Sequence, residues 1–329
     1  MSCSPNPGSQ PLDRSLQAAS TLTQPTPHHS FTPGQAPADR LTASGLPRGL
    51  SPAVIAHRGA RQAGVAENTL EAFELAVAQG AEMIELDVRR SRTGELAVLH
   101  DPAVAGTRLS GCSIAELDER TGFCPPLLAE VLEWADGRVG LDVEIKESGF
   151  EAQVASMLTA FATAGNALVV TSFLDRVLER LHRLAPQLPL GLLCSADAEA
   201  GNGIPAEQLT GRLLTRALVV SASFLLPDTA MLRAVQREPR QAAAEDRGGA
   251  ALSAAGSLSS GAVLSAAGSR EPSAPLVSSA ISVGLELIVW DFMAGADAHL
   301  LESGLISAVI TDDVTGALLM RASLQSDRC

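Results

Sequence analysis

The sequence predicts an α/β fold: a (β/α)8 TIM barrel with a β-hairpin excursion after its second strand. Three observations lead there. Short apolar runs recur along the chain with helical patterns between them, as parallel βα units require. Eight such runs can be counted, most of them ending beside polar or ionisable residues. The 329-residue length leaves room for one barrel of about 250 residues plus additions.

The elements follow in order. Residues 1–50 are dense in Pro, Ser, Thr, Gln and Gly, so they read as a disordered tail that buries too little apolar surface to offset ordering entropy. The folded domain takes 51–323. Its first strand is Val54–His57, followed by a helix over Thr69–Gln79 and a second strand over Met83–Asp87. Leu96–His100 comes too soon for a parallel return, which needs about a dozen residues, whereas an antiparallel hairpin needs about two. With Thr93 and Gly94 in the turn, cross-strand partners sum to 187, which sets Asp87 opposite His100 at the barrel mouth.

Beyond the hairpin, a helix over Leu127–Ala135 leads to strand Leu141–Lys146, and a helix over Glu151–Ala164 to strand Leu168–Thr171. A helix over Leu174–Leu184 precedes strand Leu190–Leu193. Pro205–Thr215 reads as a helix, Ala217–Ser221 as the sixth strand and Asp228–Arg237 as the helix behind it. Residues 238–280 alternate Ala, Ser and Gly in two similar phrases and read as a flexible insertion. Strand Glu286–Trp290, helix Asp297–Ser303 and strand Ser307–Thr311 complete the barrel.

Composition narrows the function. A formal net charge of −13 argues against a nucleic-acid partner or an anionic membrane surface, since both attract clustered positive charge. The five cysteines are odd in number and show no CxxC spacing, so neither a zinc site nor a disulfide framework is expected. No apolar run reaches the roughly 18 residues of a membrane span. A soluble, cytoplasmic protein is the expectation, and its oligomeric state is left open.

Ionisable residues gather where barrel enzymes place their chemistry, at the C-terminal ends of strands. His57 and Arg58 end the first strand, Glu85 and Asp87 lie on the second, and Asp142, Glu144 and Lys146 lie on the third. Period-2 alternation sends each set to one face. Several carboxylates converging inside a barrel repel one another and lose hydration unless a cation joins them. Carboxylate donors without Cys or paired His suit a hard ion, Mg²⁺ or Ca²⁺. The structural alternative is an internal network of these acids with Arg58 and Lys146. Histidines at neighbouring strand ends suit acid–base work. Lys146 is the only lysine of the chain, all 23 other basic residues being arginine.

Ala56-His57-Arg58-Gly59, Glu67-Asn68-Thr69, Glu85-Leu86-Asp87-Val88, His100-Asp101 and Val143-Glu144-Ile145-Lys146 occur in this order. They resemble the successive motifs of the glycerophosphodiester phosphodiesterase family. Thr171-Ser172-Phe173, Trp290 and Thr311-Asp312 are later echoes, so the resemblance covers about 53–321. It implies that His57 and His100 form an acid–base pair, that Glu85, Asp87 and Glu144 bind a divalent metal with Glu67 as a further ligand, and that Arg58 and Lys146 hold the phosphate. Trp290 would give the glycerol carbons an apolar wall. The substrate implied is a small glycerophosphodiester, whose glycerol hydroxyl attacks its own phosphorus before water opens the cyclic phosphate and releases glycerol 3-phosphate. Asn68 is compatible with capping the first helix and with touching the site.

Departures from the motifs are Asp291-Phe292-Met293 after Trp290, Val314 after the Thr-Asp pair, and Thr93-Gly94 in the hairpin turn. They bear on substrate preference. The alternatives are a lysophospholipase D-like or cyclic-phosphate-forming phosphodiesterase, and a non-catalytic phosphate- or metal-binding barrel.

Overall fold

The computed structural model describes residues 41–42, 45–47, 52–200, 206–237 and 275–326. Eight parallel strands close into a barrel: β1 (Ala53–His57), β2 (Met83–Arg90), β6 (Gly140–Ile145), β7 (Leu168–Ser172), β8 (Leu190–Cys194), β9 (Phe224–Pro227), β10 (Glu286–Val289) and β11 (Ala308–Thr311). Closure comes from β1, which pairs with β2 on one side and β11 on the other. The overhanging end of β2 pairs antiparallel with β3 (Leu96–Val98), and a small ribbon of β4 (Ala103–Val104) and β5 (Thr107–Arg108) follows.

Helices cover the barrel. They are α1 (Leu70–Gln79), α2 (Ile114–Thr121), α3 (Leu128–Ala135), α4 (Glu151–Thr163), α5 (Asp175–Leu184), α6 (Ala196–Ala200), α7 (Ala206–Val219), α8 (Thr229–Arg237), α9 (Pro275–Ser282), α10 (Ala298–Glu302) and α11 (Val314–Ser326). Local chemistry sets several ends. Thr69 accepts from the Ala72 amide at the start of α1, and Gly80, at φ 95°, closes that helix in the left-handed conformation. None of the described helices is long and apolar enough to cross a membrane.

Alternation along the strands produces two cores. Ile84, Leu86 and Val88 of β2 and Leu141, Val143 and Ile145 of β6 face outward into the layer beneath the helices. Ala53, Ile55, Met83, Val169, Phe224 and Ile288 fill the barrel itself. The same inward faces continue upward as His57, then Glu85 and Asp87, then Asp142 and Glu144. The pleat therefore converts an apolar floor into a charged mouth.

Four expectations are corrected. Ala217–Ser221 belongs to the end of α7 and the turn after it, and the strand is Phe224–Pro227. The Ala-Leu-Val-Val run reads as a strand locally, but Leu213, Ala217 and Val220 are buried at helical spacing while Val219 is 66% exposed. The hairpin pairs Val88 with Val98 and Arg90 with Leu96, so partners sum to 186 and the Leu99 amide, not His100, meets the Asp87 carbonyl. Ser91, Thr93 and Glu95 knit the longer turn by side-chain hydrogen bonds, which shifts the register by one.

The other two corrections concern boundaries and cysteines. Residues 275–280, placed in the insertion, open α9 and bury Leu276, Val277 and Ala280; the remainder, 238–274, lies outside the described residues. Most of the 1–50 tail also lies outside them, yet Leu41 bridges Pro47 and Leu46 is buried in the barrel core. Cys112 and Cys194 are buried free thiols, whereas Cys124 is disulfide-bonded.

Candidate active site

The register of three neighbouring strands assembles the site. His57 pairs with Glu85 across β1 and β2, Glu85 with Asp142 and Asp87 with Glu144 across β2 and β6. One carboxylate oxygen each from Glu85, Asp87 and Glu144 lies within 4.8 Å of the others, and all three residues are buried. This group could hold a metal ion.

Two cations enter the cluster. The Lys146 ammonium lies 2.7 Å from Glu144 Oε1 and 3.3 Å from Asp87 Oδ1. Arg58 Nε lies 3.2 Å from Asp87 Oδ2. The backbone of Arg58 is left-handed, at φ 54°, and its amide donates to Glu85 Oε2 at 3.0 Å. The amide of Asn68 completes the frame, Nδ2 donating to Asp87 Oδ2 at 2.8 Å and Oδ1 accepting from the Asp87 amide. Asn68 therefore holds Asp87, while its neighbour Thr69 caps α1.

Electrostatics separate the carboxylates. Burial, reinforced by Asp87 and Glu144, holds the Glu85 carboxyl well above the usual range. Burial would also raise Asp87, but Lys146, Arg58 and the hydrogen bond from Asn68 outweigh it and keep that group low. Asp142 lies one layer deeper; burial pushes it up to about 7 although Thr171 donates to it at 2.8 Å. Asp87 Oδ1 and Asp142 Oδ2 are buried and accept no hydrogen bond. With Glu85 and Asp142 held toward their protonated forms, Asp87 and Glu144 balance Arg58 and Lys146; ionising all four carboxyls would leave a negative surplus. Such a surplus fits a divalent cation in an oxygen-donor site, toward which Asp87 Oδ1 keeps its acceptor capacity, facing the Lys146 charge without a hydrogen bond.

Both histidines are oriented through Nδ1. His57 Nδ1 is 2.9 Å from Asp312 Oδ1, and His100 Nδ1 is 2.8 Å from Asp101 Oδ1. A carboxylate only accepts, so each Nδ1 carries the proton and a neutral ring offers its lone pair at Nε2. Burial lowers the proton affinity of His100, against the pull of Asp87. His57 Nε2 points over the cluster, 3.9 Å from Glu85 Oε2.

Glu67 is not brought into the acidic group. Its carboxylate pairs with Arg58 NH1 at 2.9 Å and is largely solvent-facing, because the loop before α1 turns it outward. Trp290 stands across the mouth. Its Nε1 donates to the carbonyls of Cys194 and Leu226, and its ring meets Phe173 edge-on at 5.8 Å. Asp312 went unassigned in the sequence. The signal was barrel closure: Ala56 pairs with Thr311, so the next residues, His57 and Asp312, meet across the seam.

Comparisons with known proteins agree with this geometry. The model of the Glycerophosphoryl diester phosphodiesterase family matches residues 57–315. A glycerophosphodiester phosphodiesterase of Bacillus altitudinis is 32% identical over 162 residues, covering 43% of this chain and 65% of the relative. One from Caldanaerobacter subterraneus subsp. tengcongensis is 30% identical over 161 residues, with the same coverages. The chain thus spans just under two thirds of the length of these relatives.

Among solved structures, a glycerophosphodiester phosphodiesterase from Agrobacterium tumefaciens superposes with a TM-score of 0.55 at 22% identity, covering 80% of this chain and 99% of that one. An Oleispira antarctica phosphodiesterase in complex with the product sn-glycerol-3-phosphate gives a TM-score of 0.56 at 20% identity, covering 82% and 96%. At these identities the structures establish the barrel fold, and the family match adds the rest: the chain belongs to the glycerophosphoryl diester phosphodiesterase family.

Proposed function

We propose that the chain is a metal-dependent phosphodiesterase that hydrolyses glycerophosphodiesters to an alcohol and sn-glycerol 3-phosphate. The observation that carries this reading is the convergence of three buried carboxylates beneath two histidines that both present Nε2. Glu85, Asp87 and Glu144 would hold a divalent cation, Mg²⁺ or Ca²⁺ by the all-oxygen donor set. When bound, such an ion supplies Lewis acidity toward the phosphoryl oxygens.

The residues of the chain do the remainder. Arg58 offers a planar fork and Lys146 a compact ammonium to the non-bridging oxygens, where negative charge grows in the transition state. One histidine accepts the proton of the glycerol hydroxyl as its oxygen bonds to phosphorus. The other, protonated at Nε2, gives its proton to the departing alcohol oxygen as that P–O bond breaks. Water then opens the cyclic phosphate with the two roles exchanged, leaving glycerol 3-phosphate. The attacking group is already tethered to its target, which removes an entropic cost.

A cleft of about 360 Å³, lined by Arg58, Arg61, Gln62, Val65 and Glu67, adjoins the site on the Arg58 side and offers room for part of such a substrate. Trp290 and Phe173 would wall the glycerol carbons. The product named for the Oleispira antarctica protein supports the same substrate class. The test is a panel of glycerophosphodiesters assayed for glycerol 3-phosphate, first in chelator and then with Mg²⁺ or Ca²⁺ restored. Metal-restored release of glycerol 3-phosphate is expected. Absence of turnover with every member and both metals would refute the reading, and accumulation of a cyclic phosphate would replace it with the cyclic-phosphate-forming alternative.

A further inference from the structure

We infer that Asp312 is the positioning residue of His57, fixing the ring tautomer and direction that aim Nε2 at the phosphorus. The inference rests on His57 acting in the proposed reaction and assigns a role to a residue outside the motif histidines and metal-binding acids.

Three observations support it. Asp312 follows β11 directly, and β11 pairs with β1 in a register that carries His57 and Asp312 together across the barrel seam, 255 residues apart in sequence. Both carboxylate oxygens are committed: Oδ1 lies 2.9 Å from His57 Nδ1, and Oδ2 lies 3.0 Å from Arg61 Nε. The strand end that presents Asp312 is anchored, since the Thr311 hydroxyl donates to the Phe292 carbonyl at 2.8 Å and accepts from the Asp313 amide at 3.0 Å.

The carboxylate can only accept, so it requires Nδ1–H and leaves Nε2 with the lone pair. The other tautomer would place a proton where the base must act. Asp312 is 41% exposed, and ion pairs so exposed add little to folding stability. Its contribution is therefore to orientation. His100 is served differently, by its sequence neighbour Asp101, which is 74% exposed and has no second cation on it among the described residues. Without Asp312 no other described carboxylate is within reach of His57 Nδ1.

The test uses the full chain with ¹⁵N-labelled histidine, in wild type, Asp312→Asn and Asp312→Ala, with His57→Ala to assign the His57 signals. At alkaline pH, where imidazole is neutral, wild type should show a protonated Nδ1 and an unprotonated Nε2. Both variants should shift toward the opposite tautomer, and kcat should fall by at least about 10-fold and up to roughly 10⁴-fold, the scale reached when the carboxylate behind an acid–base histidine is lost, with KM within a few-fold. The near-isosteric Asn variant guards against misfolding in the Ala variant. A wild-type tautomer in both variants, or unchanged kcat, would overturn the role of Asp312. The tautomer measurement needs no substrate, so an inactive wild type would count against the proposed reaction and leave this reading to be decided by the spectra.

Discussion

The two halves of the barrel mouth are built on different principles. Around β1, β2, β6 and β11, the inward side chains at the strand ends are ionisable, and most are tied to a named partner: His57 to Asp312, Asp87 to Arg58, Asn68 and Lys146, Glu144 to Lys146. Around β7, β8, β9 and β10, the mouth is walled by Leu193, Leu226, Phe173 and Trp290, held by packing and by two hydrogen bonds from one indole. A charged half cannot be altered at one residue without stranding another. An apolar half tolerates change of similar volume.

The largest effects should come from the charged half. His57→Ala and His100→Ala should each lower kcat by roughly 10²–10⁴-fold with an unchanged circular dichroism spectrum. Normal turnover in either would remove that histidine from the pair. Lys146→Met should lower kcat by roughly 10²–10³-fold, and Lys146→Arg should not restore it, because a guanidinium is bulkier than the compact ammonium wedged between Glu144 and Asp87. Full rescue by Arg would show that charge alone matters there.

Stability in chelator sharpens the comparison within the charged half. Glu85 lies among carboxylates and has no cation within 3.5 Å among the described ion pairs, so Glu85→Gln should raise the melting temperature. Asp87 balances both Arg58 and Lys146, so Asp87→Asn should lower it. Melting curves with equal signs for the two variants would refute this division. The smallest effect belongs to the apolar half. Trp290→Phe keeps the ring against Phe173 but removes the indole donor shared by the carbonyls of Cys194 and Leu226, which retain the Asp228 amide and the Cys194 thiol, costing about 1 kcal/mol of stability and changing KM by only a few-fold. A collapse of kcat would place Trp290 in the chemistry.

The same division explains what the sequence made legible. The seven barrel strands placed correctly, and the inward faces carrying His57, Glu85, Asp87, Asp142 and Glu144, follow from apolar alternation interrupted by charge. Ala217–Ser221 was misplaced because a β-branched helix end and a buried strand share local composition. The hairpin slipped by one because the turn is set by Ser91, Thr93 and Glu95 side chains rather than by a two-residue loop. Glu67, expected as a further metal ligand, lies outside the acidic group and pairs with Arg58, a placement set by loop direction that spacing does not encode. Asp312 needed the pairing of the last strand with the first, a contact between distant parts of the chain.

The claim that the charged half is a metal site is tested most directly by calorimetric titration of Ca²⁺ and Mg²⁺ into metal-stripped wild type, Glu85→Gln and Glu144→Gln. Saturable binding of one ion per chain is predicted for wild type, with weakened affinity in both variants because a neutral amide oxygen attracts a hard cation less strongly than a carboxylate. Wild-type affinity in both variants, or no binding of either ion to the wild-type chain, would contradict it.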